Sequence, residues 1–188
     1  SVDNQNISSL PTHDRVASGI SRTFQNIRLF KDLSVWQNIW VALQQDSDQS
    51  SGWMQEWFGN SKLQKEKIKE ILVFSGLGER FNDLAGNLSF GEQRRLELAR
   101  AIASKPKLIL LDEPAAGMNS DEVADLRQRI LDLKKLGLTV LLVEHVMELV
   151  MNVVDRIVVL NFGKKIAEGS PENIQNNKDV QKAYLGGA

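Results

Sequence analysis

A short apolar run that ends in two carboxylates constrains this chain more than any other feature. Leu108-Ile109-Leu110-Leu111 leads directly into Asp112-Glu113-Pro114. Four consecutive apolar residues between Pro106 and Pro114 read as a strand buried on both faces, the kind that builds parallel α/β sheets. Open sheets of that kind bind ligands beyond the carboxyl ends of their strands, where Asp112 and Glu113 stand. A second segment, Leu88-Ser89-Phe90-Gly91-Glu92-Gln93-Arg94-Arg95, opens an amphipathic helix. Its hydroxyl, its glycine and the bare N–H groups of a helix start suit an anion. An anion site followed by a metal-and-base site suggests phosphoryl transfer.

The remaining sequence supplies the setting. Thr12 is expected to cap a short helix over 13–18, closed by Gly19, and residues 20–24 read as a short strand. Within 34–45, Val35, Trp36, Ile39, Trp40 and Leu43 have helical spacing, with Ser34 as N-cap. Residues 46–60, rich in Ser, Asp, Gln and Gly, read as a loop carrying a short helix over 53–58. Residues 62–74 form a basic amphipathic helix ended by Gly76 and Gly78. Leu96, Leu98, Ala99 and Ile102 carry a helix over 90–104. Ser120 is expected to cap another over 121–136, ended by Gly137. Residues 139–143 and 156–160 are further apolar strands, and Asn161-Phe162-Gly163 turns into a short strand near Ile166. Two small helices follow, after Pro171 and over 180–185.

Three apolar runs separated by helices imply a parallel sheet with crossover connections. Residues 33–105 hold helices only. They read as a helical subdomain inserted into an α/β core made of 1–32 and 106–188.

Bulk properties narrow the function. The 188 residues are 42% hydrophobic and 25% charged, an ordinary globular composition. A net charge of -1 gives no electrostatic reason to expect nucleic acid. With no cysteine there is no thiolate chemistry, and His13 and His145 are too few for a zinc site. No apolar run approaches the roughly 18 residues that cross a bilayer. Residues 1–6 lack the basic and apolar regions of a signal peptide, so work at a membrane is expected to run through a partner.

Further segments join the first two. Arg22-Thr23-Phe24-Gln25-Asn26-Ile27-Arg28-Leu29-Phe30 precedes them, and Ala115-Ala116-Gly117-Met118-Asn119, Glu144-His145 and Ala183-Tyr184-Leu185-Gly186 follow. In chain order, Arg22–Phe30, Leu88–Arg95, Ala115–Asn119, Glu144-His145 and Ala183–Gly186 resemble the Q-loop, signature, D-loop, switch and tail of the ATP-binding subunits of ABC transporters. The likeness is narrower still to the ATPases of branched-chain amino acid importers, with Phe90 where most of the superfamily has glycine. It runs from about residue 2 to residue 186, and ordered motifs over that length are far more specific than one short pattern.

The resemblance implies an α/β fold: a P-loop NTPase core with a parallel sheet and an inserted helical subdomain. One departure is large. The phosphate-binding loop G-x-x-x-x-G-K-[ST] does not occur, and the only Gly-Lys pair is Gly163-Lys164. The family carries that loop before the point matching residue 1, so the chain is expected to be the later part of such a subunit, with the N-terminal strands and phosphate loop absent. The loop's strand belongs between 139–143 and 156–160. The chain alone is therefore expected to be rearranged, swapped with a copy of itself or accompanied by the missing piece.

Roles follow from the resemblance. Asp112 would support Mg2+ through water, and Glu113 would act as general base on the attacking water. Gln25 would reach the metal and that water, and His145 would contact the γ-phosphate. Ser89 would bind the γ-phosphate of ATP held by a second ATPase subunit, Gly91 would let backbone approach it, and Asn119 would stand at the dimer interface. The implied ligands are ATP and Mg2+. The implied partners are a second ATPase subunit and transmembrane permease subunits at the cytoplasmic face of the membrane, with no nucleic acid and no direct contact with the transported solute.

Each residue type also has a plainer reading. An isolated Asp-Glu pair caps a turn, a Ser-x-Gly starts a helix, and a lone Gln or His after a strand is a surface residue. Trp36 and Trp40 suit core packing better than a contact with a membrane subunit. Trp53 and Trp57 read as hydrophobic anchors, residues 62–69 as a solvated helix face, and His13 as solvent-facing. Two alternatives stay open: a non-catalytic interaction fragment, and an ATPase head of a DNA-repair or chromosome-organising protein. In the latter the Q-loop and signature flank a long coiled coil. Here Gln25 and Ser89 are 64 positions apart with no sustained heptads, which speaks against it.

Overall fold

The computed structural model describes residues 6–44 and 61–184. The loop and helix expected over 46–60, with Trp53 and Trp57, and Leu185-Gly186 of the tail lie outside the described residues. The elements run α1 (Thr12–Ala17), β1 (Ile20–Arg22), α2 (Val35–Leu43), α3 (Ser61–Phe74), α4 (Phe90–Ala103), β2 (Leu108–Asp112), α5 (Ser120–Lys135), β3 (Thr139–Val143), α6 (Met147–Val153), β4 (Ile157–Asn161), β5 (Lys164–Gly169), α7 (Pro171–Gln175) and α8 (Lys178–Tyr184). They divide into two compact units, Ser1–Val143 and Glu144–Ala188.

In the first unit β1, β2 and β3 form a parallel sheet in that order. Ile20 pairs with Leu108, and β2 pairs with β3 from Leu108–Thr139 to Asp112–Val143. β2 is the middle strand because it is apolar on both faces; Ile109 and Leu111 are fully buried. The ladder runs past its strands, with Thr23 N–H on Leu110 O and Glu113 N–H on Val143 O, at 2.9 and 2.8 Å. Residues 23–25 and Asp112-Glu113 thus leave the sheet at one edge.

Helices of the same unit carry their own core. Val35 and Ile39 of α2, Ile68 and Leu72 of α3, and Leu96 and Ala99 of α4 pack with Leu77 and Leu88. Trp36 and Trp40 lie against this cluster, and Trp36 stacks on Phe81 at 6.1 Å between ring centroids. Ser34 caps α2 in a reciprocal box with Gln37. Asn38 is fully buried yet well partnered. It accepts from Phe30 N–H at 3.0 Å and donates to the carbonyls of Phe30 and Ser34, each at 3.0 Å. α3 stops because Gly76 turns left-handed at φ +65, which lets Leu77 N–H return to Leu72 O at 2.7 Å.

The second unit holds the antiparallel pair β4–β5 with α6, α7 and α8. Val159, Ile174 and Val180 are its buried centre, packed with Ile157 and Ile166. Phe162 and Gly163, both at positive φ, make the two-residue turn between the strands.

The structure corrects several sequence expectations. The apolar run over 156–160 does not join the parallel sheet: as β4 it pairs with β5, because the tight turn at Phe162-Gly163 returns the chain at once. Its place in the three-stranded sheet is taken by β1, shorter by two residues than expected. Thr12 and Ser120 are first helical residues rather than caps; the cap positions belong to Pro11 and Asn119. Helix α6 lies between the second and third apolar runs, where the sequence implies a helix without setting its bounds, because a seven-residue helix within a Val-rich stretch carries little 3.6-residue periodicity.

Candidate functional site

Glu113 follows β2 in a left-handed backbone conformation, φ +45. That region disfavours side chains with a Cβ by roughly 1–2 kcal/mol. The conformation is held by Glu113 N–H on Val143 O and by Ala116 N–H on Glu113 O at 3.1 Å. It turns the carboxylate toward the segment leaving β1, where Gln25 Nε2 donates to Glu113 Oε2 at 2.7 Å. These two residues are 88 positions apart, and only the parallel pairing of β1 with β2 brings them together. Strain concentrated on a carboxylate at a strand end is the kind found at reaction sites.

Asp112, one residue back, is half-buried and paired with Arg22 of β1, Nη2 to Oδ2 at 2.9 Å. Magnesium takes one or two carboxylates plus water and phosphate oxygens rather than an all-protein cage. Among the described residues no group of three or more His, Cys, Asp or Glu could hold a metal. The donor set of Asp112 and Gln25, one carboxylate and one amide oxygen, fits an ion that keeps several waters.

Ser89 is the N-cap of α4. Its Oγ accepts from Glu92 N–H at 3.3 Å, and Glu92 Oε2 accepts from Ser89 N–H at 2.9 Å. Arg80 Nε donates to Glu92 Oε1 at 3.1 Å. The Ser89 backbone N–H, then its hydroxyl and Arg80, hold the Glu92 carboxyl below its usual range. The helix start already bears a negative side chain beside the serine.

Gly91 is buried against the next helix. A Cβ built on it would lie 2.2 Å from Glu122 Oε1. Glu122 in turn closes a capping box with Asn119, whose Oδ1 accepts from Glu122 N–H at 3.0 Å. The Phe90 ring lies over Gly117, where an added Cβ would be 3.3 Å from the ring. The starts of α4 and α5 and the segment between Ala115 and Asn119 therefore meet in one patch.

His145 belongs to the second unit. The buried carboxylate of Glu144 accepts from the backbone N–H groups of His145 and Val146 at 2.8 and 3.1 Å, and lies 3.4 Å from His145 Nδ1. His13 is exposed and pairs with Asp14 at 3.3 Å.

The structure thus joins Gln25 to Glu113 directly and Gly91 to Asn119 through Glu122. Residues the sequence did not single out also act here. They are Arg22, Glu122, Arg94 and Glu97, the last two paired on the inner face of α4. The i,i+3 spacing of Arg94 and Glu97 was the available signal, but it reads equally as a solvated helix pair.

Comparison with known proteins identifies the family and the fold. Residues 1–116 match the family described as ABC transporter, and residues 164–188 match the one described as branched-chain amino acid ATP-binding cassette transporter. The chain is 40% identical to the high-affinity branched-chain amino acid transport ATP-binding protein BraF of Pseudomonas aeruginosa, over 100% of this chain and 75% of that protein. It is also 40% identical to the ATP-binding protein LivG of the corresponding system of Escherichia coli, over 98% of this chain and 74% of LivG. The solved structure of MJ1267, an ATP-binding cassette of an ABC transporter, superposes with a TM-score of 0.81 at 30% identity, over 98% of this chain and 75% of that one. The parallel sheet with strand-end carboxylates is accordingly the α/β core of a P-loop NTPase, and the chain belongs to the ABC transporter family, among its ATP-binding cassettes.

Proposed function

We propose that this chain carries the water-activating half of the ATPase subunit of an ABC importer for branched-chain or related amino acids. The observation that supports this most is the 2.7 Å hydrogen bond from Gln25 Nε2 to Glu113 Oε2 at the carboxyl edge of the parallel sheet. In this reading ATP is the substrate. Glu113 takes a proton from a water as its oxygen bonds to the γ-phosphorus; the bond from that phosphorus to the bridging oxygen breaks, and ADP leaves. Gln25 orients the water against Glu113, and His145 contacts the γ-phosphate. Asp112 and Gln25 would hold Mg2+, which when bound neutralises developing phosphate charge.

Ser89 and Gly91 face ATP bound by a second ATPase subunit, and Asn119 lies at that dimer interface. Two such subunits drive paired transmembrane permease subunits from the cytoplasmic face of the membrane. The solute class rests on the likeness to BraF and LivG and on the match of residues 164–188. The sequence contains no G-x-x-x-x-G-K-[ST] cradle, so turnover belongs to a subunit that supplies one.

The test is Glu113→Gln in the full subunit assembled with its permease. ATP binding is expected to persist while turnover falls by about 100-fold or more. Unchanged turnover would refute the assignment. Uptake of labelled leucine, isoleucine or valine by the unsubstituted transporter tests the solute class.

A further inference from the structure

Helix α4 holds two charged residues that the assigned chemistry does not use. Arg94 and Glu97 are each 7% exposed, and they pair with each other, Nη1 to Oε2 at 3.0 Å. A buried ion pair seldom adds stability over an apolar pair of equal size, because desolvation cancels much of the attraction. Its value lies in what its remaining donors and acceptors fix. Arg94 Nη1 also donates to Phe24 O at 3.0 Å, and Nη2 donates to Gln25 O. The second carboxylate oxygen of Glu97 accepts from Arg28 N–H at 3.4 Å. One helical turn further, Arg100 Nη1 donates to Arg28 O. Three residues at i, i+3 and i+6 thus grip the backbone on both sides of Gln25.

From this geometry we infer that Arg94, with Glu97, is the positioning pair that makes presentation of Gln25 to Glu113 depend on the placement of the helix that begins at Ser89. Arg94 holds the main chain of Gln25, and the side chain of Gln25 reaches Glu113. Arg94 lies five residues from the N-cap, about 7.5 Å along the axis at 1.5 Å per residue. A rotation of α4 that repositions Ser89 therefore carries the Gln25 carbonyl with it. Arginine suits this task because its planar fork can satisfy two carbonyls at once, whereas a lysine is a point charge.

The inference rests on the proposed function, and its test separates the two. In the full subunit assembled with its permease, kcat and KM for ATP are measured for Arg94→Met, Gln25→Ala and the double variant. Arg94→Met is expected to lower kcat by about tenfold, the scale of a small misplacement of a reacting group, with KM changed by less than about twofold. In the Gln25→Ala background the same substitution is expected to change kcat by less than about twofold, because the two residues act as one unit. An equal loss in both backgrounds, or no loss in the first, overturns the inference. Should Arg94→Met fail to fold, Arg94→Lys serves in its place: it keeps a cation against Glu97 but reaches only one carbonyl. Glu113→Gln, measured alongside, reports on the proposed function itself. Turnover that survives Glu113→Gln sinks that reading, whereas turnover lost there but indifferent to Arg94→Met sinks only the inference.

Discussion

Gly91 shows how much one residue's size can decide. Its sequence context implies an approach to phosphate, but the structure also packs it on Glu122, 31 positions further along. Nothing in the sequence points to that neighbour, because the contact depends on how α4 and α5 cross. A methyl group there has to displace the Glu122 carboxylate, which is flexible but closes the capping box of α5. Gly91→Ala is therefore expected to cost about 1 kcal/mol, the usual worth of a cap. In a Glu122→Ala background the same change is expected to cost a few tenths of that, and urea unfolding of the four variants measures the difference. Asn38 is another residue the sequence leaves unread. It falls on an apolar helix face, and its value comes from the carbonyls and N–H group of the preceding loop, which only the folded chain brings to it.

At the level of elements, legibility follows the strength of the local signal. β2 was readable to the residue, because four apolar positions stop at a carboxylate pair. The Ser34 cap was readable, and its box with Gln37 three residues on accords with the S-x-x-Q rule. The same rule places the start of α5 at Asn119, which has Glu122 three residues on, whereas Ser120 has Val123. β4 was readable as a strand but not as a partner, since pairing is decided by the turn that follows it. The cap of α4 yields a pH prediction. Ser89 N–H, its hydroxyl and Arg80 lower the folded Glu92 carboxyl below its unfolded value, so the native state binds this proton less tightly. The stabilisation is complete above the unfolded value and is lost as pH falls through the lowered folded one. Glu92→Ala is expected to cost about 1 kcal/mol at neutral pH. That gap between the two proteins narrows as the solution becomes more acidic than the ordinary glutamate range, as urea midpoints taken down a pH series would reveal.

For the molecule as a whole, family and fold class were legible because several motifs in fixed order leave few rivals. Strand partnership was not, because it depends on contacts between distant segments. β3 pairs with β2, and β4 with β5; the two strands that the resemblance separates by one more lie in different sheets among the described residues. Leu141 and Val143 of β3 remain more than half exposed, which leaves apolar side chains on an edge strand. The sequence contains no G-x-x-x-x-G-K-[ST] motif, so on the proposed function the 188-residue chain purified by itself is expected to release no phosphate from ATP above background. A malachite-green assay with the Glu113→Gln chain as control checks this, and steady turnover that the control lacks would contradict it.

With Glu113 as the proposed general base, its left-handed backbone sets heat tolerance against catalysis. Glycine would rest there without torsional penalty, so a laboratory search for tougher variants that ignored transport would be drawn to that codon early. On the proposed function, each such winner would survive warming better and hydrolyse no ATP.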